Sequence, residues 1–508
     1  MPVVAVPTVA VMERGRAMPA AGGAGADGAG AEDAGLDPRD WPALRRDAHA
    51  MLDDMLDYVE RIRGRPVWVE SPGAAGERFG EPLPLAGREL AEVHAEFMRD
   101  VLPYTVGNVH PRFMGWVHGG GTAVGMLAEM VAAGLNANLG GRHHAPIEVE
   151  RQVVRWIAGL IGFPDSASGL MVTGASMANF IAVLVARVAA GGAAVRRVGV
   201  GGVPLVAYAS SAVHGCVPRA FDMAGLGSDA LRLIPADPSG RFDPAGLAEA
   251  VAKDRRTGLR PFFVVGTAGT VDIGAIDDLA GLAGFCRAEG LWFHVDGAIG
   301  ALGMMAPALR PRFAGIEQAD SVAFDFHKLG QVPYDAGCIV VRDGAMQERA
   351  FAADAAYLRR ESRGLAGGGV WPCDLGPDLS RGFRALKVWY SLKVYGAGRL
   401  GAVIERTCDL AAHLSRRIDG EAKLERLAPV ALNIVCFRYR FAADIDRQTV
   451  ELAADLQDSG LAVVSTTRIA GDTVLRCAIV NHRTGAEDLD ILVNAVLKLG
   501  DRRAAAAP

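Results

Sequence analysis

Four short apolar runs in this chain are each followed at once by residues able to do chemistry. Leu170-Met-Val-Thr173 leads into Gly174-Ala-Ser-Met-Ala-Asn179, and Leu205-Val-Ala-Tyr208 into a stretch reaching His214. Leu291-Trp-Phe-His-Val295 ends on Asp296, and Ser321-Val-Ala-Phe324 runs into Asp325-Phe-His-Lys328. Small residues where a strand turns into a helix let backbone N–H groups approach an anion, and the Ser176 hydroxyl adds a donor. Asp296 follows a run too apolar for a surface strand, so its carboxylate needs a partner, either an arginine or a ligand cation. His214 reads as a flat ring for a ligand or as a hydrogen-bonded structural residue, and Lys328 as a reactive amine or a solvated surface lysine. Ligands of open α/β sheets bind outside the carboxyl ends of the strands. One sheet edge would therefore gather an anion cradle, a flat ring, a carboxylate and an amine.

The elements that must position these groups follow from the hydrophobic pattern. Residues 1–36 are rich in Ala and Gly and bury too little apolar surface to offset ordering entropy, which predicts a flexible tail. Residues 37–100 repeat apolar positions at helical spacing, as in Ala48, Leu52, Met55, Leu56 and Val59, then Leu90, Val93, Phe97 and Val101. Residues 101–385 alternate strand-like runs with helical stretches, now including Phe262-Phe-Val-Val265 and Cys338-Ile-Val-Val341, and predict one large α/β domain. After a helix near Phe383 to Tyr395, residues 386–500 mix helices with strands such as Ile434-Val-Cys-Phe437 and Thr473-Val-Leu-Arg476, a smaller α+β domain.

Composition narrows the function class. Of 508 residues 50% are hydrophobic and 22% charged, and the formal net charge is -5, without the basic excess that gripping nucleic acid or an anionic membrane requires. Arg187 interrupts the longest apolar helical stretch, Phe180 to Ala190, and the N-terminus lacks a secretory pattern. Seven scattered cysteines without a CxxC pair read as reduced thiols, so the expected compartment is the cytoplasm and the expected partner a small molecule. His143 and His144 are adjacent and lack zinc-ligand spacing, so no metal site is assigned.

From about Trp41 to Leu499 the chain resembles the group II pyridoxal phosphate-dependent decarboxylases, of the aromatic amino acid and glutamate decarboxylase type. The resemblance is carried by Ala145-Pro-Ile-Glu-Val-Glu150, Thr173-Gly-Ala-Ser-Met-Ala-Asn179, His214, Phe293-His-Val-Asp296-Gly-Ala, Asp325-Phe-His-Lys328 and Ser380-Arg-Gly-Phe-Arg-Ala-Leu-Lys-Val-Trp389. It implies a fold type I large domain with a mainly parallel seven-stranded sheet, pyridoxal 5'-phosphate as cofactor, an amino acid substrate and a homodimer with shared active sites. Lys328 resembles the lysine that carries the cofactor through its aldehyde, Asp296 the partner of the pyridine nitrogen, and His214 the imidazole stacked on the ring. Ala175 and Ser176 resemble phosphate binders, and His327 the histidine near the phosphate. Asp325 cannot donate when ionised and is read as orienting a neighbouring donor. Thr267 and Thr270, in Gly266-Thr-Ala-Gly-Thr270, are candidates to hydrogen-bond cofactor or substrate carboxylate. Within His110-Pro-Arg-Phe-Met-Gly-Trp-Val-His118, Trp116 and His118 are candidate selectors of the substrate side chain, with His118 equally readable as a loop cap; Arg142, His143 and His144 are candidates to reach the same pocket.

The chain departs from the family pattern in one loop. Family decarboxylases carry a loop tyrosine that returns a proton to carbon after carbon dioxide leaves. Here the nearest counterpart is read as Trp371, whose indole is no general acid, with Tyr357 and His118 as substitute donors and Gly367 to Gly369 as a flexible lid. The expected reaction is decarboxylation of an aromatic or bulky L-amino acid to the amine. The alternatives are oxidative decarboxylation to an aldehyde, a decarboxylase of acidic or diamino acids, and a non-catalytic binding relative.

Overall fold

A computed structural model describes residues 35–73, 79–353 and 359–506. Most of the tail segment 1–36, and Tyr357, lie outside the described residues. The chain divides into two units, one ending at Asp53 and one starting at Asp54. The second unit carries everything that follows.

Its seven-stranded sheet has the order β1-β7-β6-β5-β4-β2-β3. The strands are β1 (Ser168–Val172), β2 (Leu205–Ser210), β3 (Leu231–Ile234), β4 (Arg260–Thr267), β5 (Trp292–Asp296), β6 (Ser321–Asp325) and β7 (Gly337–Val341). All neighbours are parallel except β7, which runs antiparallel to both β1 and β6. Six of the seven coincide with the apolar runs of the sequence. β3 does not, because it is a four-residue edge strand whose Arg232 breaks the apolar pattern. The inner strands β2, β6 and β7 are buried along their whole length, since helices cover both sheet faces. One face packs Ile157, Phe293 and Phe324, and the other Ile181, Val185, Phe221 and Phe263.

Two of the motifs quoted above meet in the core and lock β1 in place. Arg381 donates from Nη2 to Glu150 Oε1 at 2.6 Å and from Nη1 to Oε2 at 3.2 Å, while the same carboxylate accepts the Met171 N–H at 2.9 Å. Arg381 also reaches the Leu139 and Met171 carbonyls. Every charge in this buried cluster is matched, which fixes where β1 ends and where the helix Ala175–Gly191 begins.

The helix Ala385–Asp419, with a break at Gly396, runs from this sheet towards a second one of order β10-β11-β9-β8. Those strands, β8 (Leu424–Arg426), β9 (Ile434–Tyr439), β10 (Ser465–Ile469) and β11 (Asp472–Ala478), are antiparallel and pack on the helices Ile445–Asp458 and Ala486–Ala506.

Candidate active site

The carboxyl ends of β1, β2, β4, β5 and β6 surround a cavity of about 460 Å³. Lys328, Asp296, His214, Ala175, Ser176, Thr267, Asp325, His327, Trp116 and His118 all line it. Thr270 does not line it. Its hydroxyl accepts the Ala275 N–H at 3.0 Å and closes the turn after β4, which its spacing from Thr267 did not reveal.

Asp296 is the last residue of β5 and is buried. Among the described residues no arginine pairs with it. Its Oδ2 accepts from Asn179 Nδ2 at 3.0 Å and its Oδ1 from the Ala298 N–H at 3.1 Å, both neutral donors. Behind Asn179 stands a chain of donors with one direction. Because Asn179 gives its amide N–H to a carboxylate, its Oδ1 accepts from His294 Nε2 at 2.7 Å, so the His294 proton sits on Nε2. His294 Nδ1 then accepts the Ser321 hydroxyl at 2.8 Å, and Ser321 accepts the Trp292 indole N–H at 2.9 Å. Burial holds the His294 imidazole down at about 3, so this chain stays neutral. Asn179 and His294 are quoted in the motifs above but carried no assigned role; the signal was a polar residue on the apolar face of a helix and of a strand.

Lys328 follows β6 by one turn, and its Nζ lies 2.7 Å from Asp325 Oδ2. Asp325 Oδ1 accepts the Ala175 N–H at 2.7 Å, across the start of β7. That approach requires Gly337, where an added Cβ would come within 2.4 Å of Gly174 Cα. His327 accepts the Ala336 N–H on Nδ1 at 3.1 Å, which leaves Nε2 as its donor, 3.7 Å from Asp325 Oδ1. Burial holds His327 below its ordinary range, so it donates as a neutral ring. Asp325 thus sits beside the donor it was expected to orient.

The opposite wall is aromatic. The His118 ring stacks on Phe113 at 5.7 Å and Trp116 at 6.1 Å, and meets the edge of Tyr334 at 5.8 Å. Burial, and then the Lys328 charge, hold His118 below its ordinary range. Gly119 lets this segment press on the Lys328 turn, since a Cβ there would lie 2.2 Å from the His327 carbonyl oxygen. Tyr334 and Arg476 complete the lining and were not singled out from sequence. Arg476, buried on β11, spends Nε on the Val271 carbonyl at 2.8 Å and Nη1 on Ser465 Oγ at 3.1 Å, while Nη2 also bonds the Val271 carbonyl. A lone arginine inside an apolar strand was the available signal.

Trp371, read as the nearest counterpart of the family's loop tyrosine, is fully buried, donates Nε1–H to the Gly367 carbonyl at 2.9 Å, and has the Arg142 and Arg360 guanidinium groups 4.7 and 5.3 Å from its ring. Of the Gly367 to Gly369 run, Gly367 is buried where it accepts that indole N–H, whereas Gly368 and Gly369 are exposed, with Arg151 bonded to the Gly368 carbonyl at 3.2 Å. Arg142, His143 and His144 do not line the cavity of their own chain. Among the described residues no group of three His, Cys, Asp or Glu is arranged to hold a metal ion. All seven cysteines are free thiols.

A flat, anionic pyridine aldehyde fits this donor set. Lys328 is the lysine among the described lining residues, Asp296 opens onto the cavity without a cation of its own, and the His214 ring is exposed. The Thr267 hydroxyl is buried without a hydrogen-bond partner. Comparison with known proteins agrees. Residues 77–440 match the model of the pyridoxal-dependent decarboxylase conserved domain, so the chain belongs to the pyridoxal-dependent decarboxylases. It is a pyridoxal 5'-phosphate-dependent amino acid decarboxylase of fold type I. It is 30% identical over 457 residues to an aromatic-L-amino-acid decarboxylase of Bacillus atrophaeus, covering 88% of this chain and 93% of that protein. It is likewise 30% identical over 460 residues to phenylacetaldehyde synthase of Arabidopsis thaliana, covering 87% and 93%. The crystal structure of Oryza sativa TDC with PLP and tryptamine superposes with a TM-score of 0.85 at 25% identity, over 92% of this chain and 100% of that one.

Proposed function

We propose that this decarboxylase acts on an aromatic L-amino acid and releases the amine and carbon dioxide. The observation that carries the reading is the pair of stacked rings Trp116 and His118 with the Tyr334 edge, lining one cavity with Lys328 and backed by the buried Phe113. Aromatic faces and edges hold another aromatic ring better than an aliphatic or charged one. Arg476, the buried cation of the cavity, has an acceptor on each nitrogen already, which argues against a site built for an acidic side chain. The relatives named above work in the same direction.

When bound, pyridoxal 5'-phosphate supplies an aldehyde that condenses with amines and a conjugated ring that accepts the electron pair of the breaking bond. Lys328 would supply the amine that holds the aldehyde carbon. Asp296 would hold a proton at the pyridine nitrogen, and the donor chain through Asn179 and His294 keeps that carboxylate in one plane. His214 would fix the ring plane by stacking, which would set which substrate bond is aligned to break. Ser176, the first turn of its helix, and His327 Nε2–H would hold the phosphate. Thr267 Oγ1 has a free hydrogen-bonding capacity for cofactor or substrate. Trp116 and His118 bound the side-chain end.

A second reading rests on the phenylacetaldehyde synthase relative: the same bond cleavage followed by oxidation, consuming oxygen and releasing an aldehyde, ammonia and peroxide. The test is incubation with the cofactor and each common amino acid, products identified by mass while oxygen is recorded. Arylalkylamines without oxygen uptake are expected. Amines from acidic or diamino acids only would overturn the aromatic reading, and aldehydes with oxygen uptake would select the second.

The assembly is read as a cytoplasmic homodimer. Leu90, Val93 and Phe97 form a helical stripe and Val131 and Leu135 a second one, all exposed in the single chain, and a second copy is the natural cover. No helix among the described residues is long and apolar enough to cross a membrane.

A further inference from the structure

The phosphate end of the cavity already contains an anion. Asp325 is buried at the end of β6, and its two oxygens have divided work: Oδ1 takes the Ala175 N–H at 2.7 Å, and Oδ2 lies 2.7 Å from Lys328 Nζ. His327 Nε2 is also directed towards Oδ1, at 3.7 Å. An ionised carboxylate and a phosphate both only accept hydrogen bonds. Both are attracted to the N-terminus of the 17-residue helix Ala175–Gly191. They would therefore compete for one set of donors, and like charges sharing those donors repel. The same carboxylate occupies the amine that the cofactor aldehyde must reach.

We propose that Asp325 is a resident substitute for the cofactor's phosphate: it satisfies the Ala175 N–H and the Lys328 amine in the cofactor-free protein, and must exchange both contacts for the cofactor to load. The proposal rests on the cofactor reading of the cavity and adds a property to it. Binding is weaker than the donor set permits, and the advantage of a phosphorylated over an unphosphorylated cofactor is small. Gly337 makes the arrangement possible by letting the ends of β1 and β6 meet over β7.

The probes are pyridoxal 5'-phosphate and pyridoxal, which offer Lys328 the same aldehyde and differ only at the phosphate. Dissociation constants are taken by absorbance titration of the full chain and of Asp325→Asn, and attachment at Lys328 is confirmed by borohydride trapping and mass. Asparagine keeps an acceptor for Ala175, removes the charge and adds a donor. The ratio of the pyridoxal constant to the pyridoxal 5'-phosphate constant is expected to rise about ten- to hundredfold in the variant. Any change in the lysine itself moves both probes together and cancels. Thermal unfolding adds a second readout: the variant should be less stable than the parent without cofactor and gain more from its addition. Should Asp325→Asn fail to fold, Asp325→Ala, which frees the Ala175 N–H altogether, is expected to move the ratio in the same direction. An unchanged ratio in a folded variant overturns the proposal and leaves Asp325 a structural acceptor. Failure of both probes to attach to Lys328 in parent and variant overturns the cofactor reading itself.

Discussion

Two buried carboxylates in this molecule have opposite surroundings. Glu150 is enclosed by a bidentate arginine and a backbone N–H, and its charge is cancelled on the spot. Asp296 is equally removed from solvent, yet it is held by an amide and a backbone N–H, and its remaining face looks into the cavity. Burying a charge without a cation is costly, and chains keep such an arrangement where a ligand brings the missing charge. The first carboxylate closes a structure, and the second, on our proposal, receives a protonated ring. Sequence left the choice between an arginine and a ligand cation open for Asp296; the geometry supports the ligand.

The comparison is broken most sharply by exchanging charges on the two sides. Asp296→Asn is expected to lower turnover at least about a thousandfold, with cofactor affinity reduced and unfolding free energy changed by no more than about 1 kcal/mol. Turnover within tenfold of the parent would remove Asp296 from its role. Arg381→Met should do the reverse, lowering unfolding free energy by about 3–5 kcal/mol because Glu150 is left buried and unpaired, while product per folded molecule stays within about threefold. Urea titration and active-site counting separate the two.

A smaller effect concerns where the product partitions. His118→Phe and Tyr357→Phe are to be compared by peroxide yield during turnover. The variant that loses the proton donor should raise the aldehyde-to-amine ratio by about tenfold or more, and the other should leave it alone. Equal ratios in both would point to a donor elsewhere in the cavity, with Tyr334 next in position.

The smallest effect is on stability against pH. Burial holds His294 at about 3, and His110 and His482 at about 4, against an ordinary value near 6.5. The folded protein refuses protons that the unfolded chain accepts below pH 6.5, so stability is full above that value and falls as pH drops towards 4. Asp277, raised by burial to about 6, has the opposite sign, its contribution fading as pH rises from its ordinary value to 6. Burial lowers His118 and His327 in the same sense and raises Asp320 with Asp277, so with five groups against two the urea midpoint at pH 7 should exceed that at pH 5; a midpoint that rises on acidification would contradict the neutral His294 chain behind Asp296.

Most of the sheet could be read from the chain because buried strands need apolar runs, and the runs ending at Thr173, Tyr208, Val295 and Phe324 had no other use. The reversal of β7 was invisible, since Cys338 to Val341 look the same in either direction. Among site residues, those at strand ends were legible and those behind them were not. Lys328 and Asp296 interrupt apolar runs, whereas Asn179 and His294 matter only through their orientation towards each other. The burial of Trp371 was not legible, because spacing along a loop says nothing of it; its indole meets two arginines. Arg476 comes from residues almost 150 positions beyond Lys328, a proximity that only the packing of the second sheet creates.

The reversed strand β7 separates two halves of the anion seat that belong to chain segments 150 residues apart. With neighbouring strands about 4.8 Å apart, β1 and β6 stand nearly 10 Å from each other, and only a residue lacking a side chain at the spacer's first position allows them to touch above it. Position 337 therefore works as a hinge pin: one methyl group added there would part the two segments and unsettle the phosphate end without contacting the cofactor.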